Sequence, residues 1–506
     1  MLNENKEFLL TRKMISPKTR TVFSEVLSGT SSFGLRSLIV AIQYAGNSFI
    51  MSSLGKDEAS AASVTTPGVA FFMGMMSGFL AAPGVELGKV LLKKDNEAVG
   101  AVIKTGWLMT IVLGTIAALG FLSTQLFLPL FLAPGVAKVA TRLFQGYAIA
   151  AIPELWVWGN GQVPFKIEKN TYLPVLTAMA YRLSALGLSY IFANRLQWGA
   201  FGVGVGAAVS GVANVLLFQP WYSKQIYHQY HLYHFKINNF KKYISSFLAT
   251  GWPISLQRIS EWLNLFIIAQ ISGAWSSEKL LAEQVSLALL VASGFMTQGS
   301  GQYSMMQVTQ DHSAMKQALQ QFETTKDAEH LEEVFALQQK NKKHFLISNS
   351  AGIIFNMGLA GLVYLLREQL IALYAPQGMD NTTKALAIEL LLINALSLLP
   401  DGARNITAGV LRGWNDILFP TIVSLILMTG IAIPVGVALG LSAGETVLPL
   451  FIARLVSLVL VEGISIGRYV QQTRRDAGLY HAALFSLTLK NSVPVPSSLH
   501  EVVVVP

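Results

Sequence analysis

The stretch P-I-S-L-Q-R-I-S-E-W, residues 253–262, places Arg258 and Glu261 three positions apart. F-L-A-T-G-W precedes it and L-N-L-F-I-I-A-Q-I follows, so both charges sit in a run that otherwise suits hydrocarbon. Asp401 and Arg404 repeat the arrangement inside another apolar run. In both cases the i,i+3 spacing puts acid and base on one helix face. An ionisable group in a membrane span costs about 2.5–3.5 kcal/mol on insertion scales, and it persists when paired or when it lines a wet cavity. Two acids from different helices, Glu261 and Asp401, can converge on one cation, and their oxygens suit a hard ion such as Na⁺. A proton could use the same acids, although an adjacent guanidinium opposes protonation and so favours a metal ion or a permanent organic cation. The competing reading is that Arg258 and Arg404 only neutralise their acids and fix helix packing. Earlier in the chain, Glu154 and Arg182 are the comparable charges, with Glu154 either functional or the cap of a kink beside Pro153. Gln43, Asn47, Gln257, Asn264 and Gln284 add neutral polar side chains to apolar runs.

These residues need spans to hold them. The chain has 506 residues, 52% hydrophobic and only 13% charged, with a mean hydropathy of +0.48. A soluble domain carries about twice that charged fraction. Runs long enough to cross about 30 Å of hydrocarbon recur near 34–54, 63–83, 102–122, 141–161, 172–193, 199–220, 246–272, 283–307, 345–366, 385–410, 417–440 and 447–469. The composition predicts an all-α polytopic membrane protein of twelve transmembrane helices. With the N-terminus inside, the outer loops hold only Lys56, Lys138, Arg195, Lys279, Arg367 and Lys384. The other basic residues outside the spans then fall on the inner side, which predicts cytoplasmic termini. No small-residue cleavage site follows a short apolar core, so the first span is expected to act as an uncleaved insertion signal. The net charge of +9 therefore implies topology, not nucleic acid. The absence of cysteine excludes disulfides, thiolate metal sites and cysteine nucleophiles. No G-x-x-x-x-G-K-[ST] loop supports ATP hydrolysis. The G-V-G-V-G run at 202–206 lies in a span, where small residues permit close helix approach. The chain reads as no enzyme and needs no organic cofactor. Transport would draw on an ion gradient, worth about 2.3 kcal/mol per charge crossing 100 mV.

The spans divide into two halves. A cytoplasmic arm (1–33) precedes the first lobe (34–222, six spans), a polar linker (223–245) follows, and then comes the second lobe (246–470, six spans) and a cytoplasmic tail (471–506). S-G-F-L at 77–80 answers S-G-F-M at 293–296. Pro153 answers Pro400 and Pro174 answers Pro420, which makes Glu154 the counterpart of Asp401. The offset grows between the two matches, placing a charged, helix-prone insertion at 310–343 between spans eight and nine. Transporters built from repeats place substrate between or within the halves, near the midplane.

Four stretches resemble the multidrug and toxic compound extrusion family. P-I-S-L-Q-R-I-S-E-W resembles its seventh span. L-L-P-D-G-A-R-N-I-T-A-G-V-L-R-G-W-N-D-I-L-F-P resembles its tenth, where an acid precedes an L-R-G-x-x-D element, here Leu411, Arg412, Gly413 and Asp416. F-I-M-S-S-L-G-K-D-E-A-S-A-A-S-V resembles its first outer loop and A-E-Q-V-S-L-A-L-L-V-A-S-G-F-M its eighth span. The resemblance covers residues 34–470 or so. It implies two six-helix lobes in a V shape and export of amphiphilic organic cations in exchange for H⁺ or Na⁺. It implies that Glu261 and Asp401 serve coupling or cationic substrate, and that Gln284 faces the cavity. The chain departs from the family at Asn47, where many bacterial members carry an Asp, and at Arg182, Ala185 and Ser189, where span five is usually rich in Asn. Arg258, Arg404 and the 310–343 insertion are further departures.

The leading expectation is a monomeric antiporter for small cationic molecules in a bacterial inner (plasma) membrane, without nucleic-acid partners. The alternative is a flippase or exporter of a lipid or lipid-linked metabolite, with Arg182, Arg258 and Arg404 meeting an anionic headgroup. A third reading is a binding or scaffold protein that uses 310–343 and the tail for interactions.

Overall fold

The computed structural model describes residues 38–92, 95–160, 167, 172–218, 224–232, 239–325 and 328–491. Its principal elements are α1 (Leu38–Leu54), α2 (Lys56–Leu92), α3 (Asn96–Phe131), α4 (Pro134–Asn160), α5 (Tyr172–Tyr190), α6 (Gly199–Ala213), α7 (Phe240–Trp275), α8 (Ser277–Thr325), α9 (Ala328–Leu365), α10 (Asn381–Gly413), α11 (Leu418–Ser442) and α12 (Leu448–Asn491). No strand occurs among the described residues. Eight of these helices (α2, α3, α5, α6, α9, α10, α11 and α12) contain a stretch long and apolar enough to cross a membrane. The shorter apolar α1, with α4, α7 and α8, falls on the remaining expected spans. The protein is a multi-pass membrane protein.

Local chemistry sets several boundaries. Asp95 caps α3, accepting from the Ala98 amide at 3.0 Å, and Asp380 caps α10, accepting from the Thr383 amide at 3.1 Å. These carboxylates satisfy amides that the first helical turn leaves unpaired. α10 ends where Asn415 turns left-handed at φ 64°, a conformation asparagine tolerates. The next acid of that L-R-G-x-x-D element, Asp416, accepts from Arg468 Nε at 2.6 Å and Gln472 Nε2 at 3.0 Å, both on α12.

The internal repeat is present in the packing. In the first half α4 is central and meets α2, α3 and α6; in the second, α10 is central and meets α8, α9 and α12. The α5–α6 contact likewise has its counterpart in α11–α12. The halves join along α2, which lies against α7 and α8. S-G-F-L and P-I-S-L-Q-R-I-S-E-W meet there. A methyl group placed on Gly78 would come within 2.4 Å of the Ser255 backbone, and one on Gly251 within 2.7 Å of Phe79 Cα. Small residues at both points let the two helices touch backbone to backbone.

α11 passes through a π-helical segment, Leu425–Ile431. A π segment shifts the backbone ladder and leaves carbonyls to be satisfied from outside. Asn264 of α7 donates to the Met428 carbonyl, and Ser457 of α12 donates to the Leu427 carbonyl at 3.1 Å. Asn264 thus has a structural assignment.

Two expected boundaries move. α7 begins at Phe240, inside the expected linker, and α12 continues to Asn491, well into the expected tail. The insertion is a helical hairpin made by α8 and α9 running on past their spans. Its own small core contains Met315, Phe322, Leu331 and Val334, and Asp311 pairs with Lys340 at 3.2 Å. At its base Phe345 stacks on Tyr469 with ring centres 3.8 Å apart, and Trp414 joins at 5.5 Å.

Candidate functional site at the seam of the two halves

A narrow cleft, with room for about one water molecule, lies where the halves meet. Four helices line it in pairs of residues: Tyr44 and Ser48 from α1, Thr66 and Pro67 from α2, Trp262 and Leu265 from α7, Gln284 and Leu287 from α8. The lining is mainly apolar and aromatic, with Ser48, Thr66 and Gln284 as its polar members and no charged side chain among the described residues. Gln284 lines this cleft. Its Nε2 has no hydrogen-bond partner among the described residues. Pro67, within α2, lacks an amide proton and so leaves a carbonyl one turn earlier without its helical partner.

The expected residues of α7 fall beside the cleft. Gln257 is buried and Arg258 partly buried. Arg258 lies against α2, since a methyl on Gly74 would be 3.6 Å from its Cβ. Glu261 is on α7 immediately before Trp262, but its side chain lies outside the described residues. Convergence of Glu261 and Asp401, and with it the Na⁺ site expected from that pair, therefore also lies outside them. Asp401 accepts from Arg404 Nη2 at 2.8 Å and from Nε at 3.1 Å, a two-pronged contact within one turn of α10. Arg404 is buried, with a side-chain exposure of 4% against 20% for Asp401.

The first half holds a second polar centre. Glu154 of α4 and Arg182 of α5 pair at 2.8 Å, both side chains 3% exposed. Arg182 also donates to Gln43 of α1. The guanidinium carbon lies 5.4 Å from the Trp158 ring centre and 4.7 Å from that of Tyr181, close enough for cation–π attraction. Pro153 packs on α6, where a methyl at Gly211 would sit 2.9 Å from its Cβ. Asn47 donates to the Tyr147 hydroxyl at 3.1 Å, and both line a neighbouring cavity that Tyr44 shares with the seam. A neutral Asn47 here binds a phenol and carries no charge.

Three buried ionisable groups escaped the sequence reading: Glu283 on α8, and Arg454 and Glu462 on α12, at 0%, 4% and 7% exposure. Each is a lone charge in an apolar run, the same signal that singled out Arg258 and Asp401. Their neighbours form an alternating series. Arg454 is in electrostatic reach of both Glu283 and Asp401, Asp401 pairs with Arg404, and Arg404 is in reach of Glu462. Thr407 donates to Glu462 at 2.9 Å. Neither Glu283 oxygen has a hydrogen-bond partner among the described residues, nor do Arg454 Nε and Nη1. Chemically, the site offers an aromatic and amide-lined seam, backed by one sealed ion pair in the first half and a row of charges in the second.

Residues 337–438 match the MatE family model. Multidrug resistance protein PmpM of Pseudomonas aeruginosa is 40% identical over 83 residues, 16% of this chain and 17% of that protein. The probable multidrug resistance protein NorM of Xylella fastidiosa is 23% identical over 277 residues, 53% of this chain and 54% of that protein. The matches thus span about half of these curated relatives or less. An inward-facing multidrug resistance MATE family transporter of the MOP superfamily superposes with a TM-score of 0.69 at 12% identity, covering 87% of this chain and 95% of that one. A MOP superfamily transporter from Pyrococcus furiosus, described as having a binding pocket of reverse polarity, gives 0.68 at 12% identity over 92% and 99%. These likenesses show that the chain shares the helical fold of those transporters. The chain thus has the fold of the multidrug and toxic compound extrusion (MATE) transporters, and residues 337–438 match that family's MatE model.

Proposed function

We propose that the protein is a secondary active antiporter that exports amphiphilic organic cations in exchange for Na⁺ or H⁺. Twelve crossings would place both termini in the cytoplasm, and the Pseudomonas and Xylella relatives support a bacterial inner membrane. The observation that carries this reading is the seam cleft: Tyr44 and Trp262 from opposite halves, with Gln284 beside them and no basic side chain in the lining. Aromatic faces attract a desolvated cation by about 2 kcal/mol each, and an amide oxygen can orient one. A site shared by two halves changes access when the halves rock. The multidrug resistance names of the relatives support the same substrate class. An anionic headgroup is less well served, because Arg182 and Arg404 each close on an acid.

The test is uptake of a fluorescent organic cation into inverted vesicles under imposed Na⁺ or H⁺ gradients. Uptake should depend on one gradient, fall strongly in Trp262→Ala, and vanish in Glu261→Gln and Asp401→Asn. Uptake by native protein that all three substitutions leave unchanged would remove the assignment.

A further inference from the structure

A separate cavity lies at the base of the hairpin, beside the Phe345–Tyr469–Trp414 stack, with room for about one water-sized group. Three buried polar atoms of its lining have no hydrogen-bond partner among the described residues: Trp414 Nε1 and Gln338 Nε2, which donate, and Asn341 Oδ1, which accepts. Asn341 is only 7% exposed, and a buried polar atom left unpaired is costly. A single group that satisfies all three must accept two hydrogen bonds and donate one. A hydroxyl does so, whereas an ammonium only donates and an ionised phosphate oxygen only accepts.

The surroundings are cationic. Lys342 lines the cavity, and Lys316 and Arg475 lie in electrostatic reach of Asp476 on its wall, so three cations meet one acid. Toward the spans the surface turns apolar. α9 and α12 both pack on α10 and meet one another far less, which leaves a groove between them. Lys342, Leu346, Ile353 and Met357 recur at helical spacing on one face of α9, as do Thr473, Val470, Ile466 and Val459 on α12. Asn349 belongs to that face of α9 and bonds Glu462 of α12, so the face borders the groove. Its apolar members on both helices are exposed, whereas Lys342 and Thr473 line the cavity. The groove runs from hydrocarbon to a charged mouth and a polar cavity.

We propose that this groove binds an anionic glycerophospholipid with a hydroxyl-bearing head, of the phosphatidylglycerol type. Its acyl chains lie along the exposed faces of α9 and α12, and its phosphodiester meets Lys342. A head-group hydroxyl enters the cavity, accepting from Trp414 and Gln338 and donating to Asn341. An ethanolamine head suits the site less well, because the lipid has no net charge to offer the cations and its ammonium would aim N–H bonds at two donors. The site goes beyond the antiport reading and does not depend on it. Bound there, the lipid braces α9 against α12 and ties the hairpin to the bilayer.

The test uses the full-length protein in detergent, titrated with one lipid at a time, with bound lipid counted by native mass spectrometry. Three probes with the same acyl chains separate the parts. Phosphatidylglycerol has charge and hydroxyls, phosphatidylmethanol keeps the charge without a hydroxyl, and phosphatidylethanolamine is zwitterionic. The native protein should bind phosphatidylglycerol tightest, ahead of phosphatidylmethanol by about three- to tenfold. Lys342→Gln should weaken both anionic lipids by about tenfold and leave phosphatidylethanolamine unchanged. Trp414→Phe keeps a ring in the stack and removes the N–H. It should narrow the gap between the two anionic lipids by lowering phosphatidylglycerol alone, and its unchanged phosphatidylmethanol binding shows that it is folded. Equal native binding of all three lipids overturns the proposal. Equal binding of the two anionic lipids overturns it as well, by reducing the site to a patch of charge. So does a phosphatidylglycerol preference that Lys342→Gln and Trp414→Phe both leave intact, which would place the lipid elsewhere.

Discussion

The two halves share a packing plan and differ in what they bury. α4 and α10 occupy equivalent positions, each carrying a proline followed by an acid, at Pro153–Glu154 and Pro400–Asp401. In the first half the acid finds one arginine on the next helix, and tyrosine and tryptophan rings enclose the pair. The result is a closed, neutral unit. In the second half the acid finds an arginine on its own helix, and Arg454, Glu283 and Glu462 extend the group of buried charges. The packing plan is shared and the electrostatics differ: the first half seals one ion pair, whereas the second leaves both Glu283 oxygens and Arg454 Nε and Nη1 without hydrogen-bond partners among the described residues.

The contrast predicts a large stability effect in the first half. Arg182→Met leaves Glu154 buried beside no cation, which should cost about 3–5 kcal/mol. Adding Glu154→Gln should recover most of it, because removing both charges is close to neutral. Thermal unfolding of the single and double variants in detergent measures both, and a native-like melt for Arg182→Met would end the view of this pair as structural. Next in size is the seam. Gly78→Val should cost about 1–3 kcal/mol through overpacking, since its added atoms meet the Ser255 backbone. It should also reduce cross-linking between cysteines introduced at Phe79 and Gly251, in a chain with no native cysteine. An unchanged cross-linking yield would show that the halves are not held apart by that side chain. Asp416→Asn in the second half should cost about 1 kcal/mol, because its partner Arg468 is partly exposed and such pairs are weak.

The smallest effect concerns the hairpin, which the first half lacks. Burial is the main cause that holds His312 below its ordinary 6.5, with Lys316 adding to it. The unfolded hairpin therefore takes up a proton first on acidification. Its stability is full above 6.5 and declines as the pH falls toward the folded value. Hydrogen exchange of residues 310–343 should quicken in mild acid, and His312→Asn should blunt the response. Quickening of equal size in α3 and α4 would assign the effect to the whole protein.

Spacing revealed what was local. The i,i+3 rule found Asp401 with Arg404, and hydropathy predicted an all-helical membrane chain, of whose described helices eight are long and apolar enough to cross a membrane. The proline pairs identified α4 and α10 as equivalents before any packing was known. Pairs made across helices were another matter. Glu154 and Arg182 were each visible as buried charges, but 28 positions separate them, and nothing in spacing joins such residues. Glu283, Arg454 and Glu462 were overlooked because one charge among leucines and valines barely lowers a window average. Asn264 drew attention as a polar residue in a span, yet its partner is a carbonyl freed by a π segment, and no side-chain pattern announces such a segment.

The hairpin has a mechanical consequence. α8 is one continuous helix of 49 residues, about 74 Å long at 1.5 Å per residue, against about 30 Å of hydrocarbon. The part from residue 310 to Thr325, about 24 Å, projects past the span as a lever arm, braced by α9 and by the aromatic stack on α12. A small tilt of the second half at the fulcrum becomes a much larger arc at the free end. A spin label on the exposed Glu323 would ride that arc as the needle of a gauge.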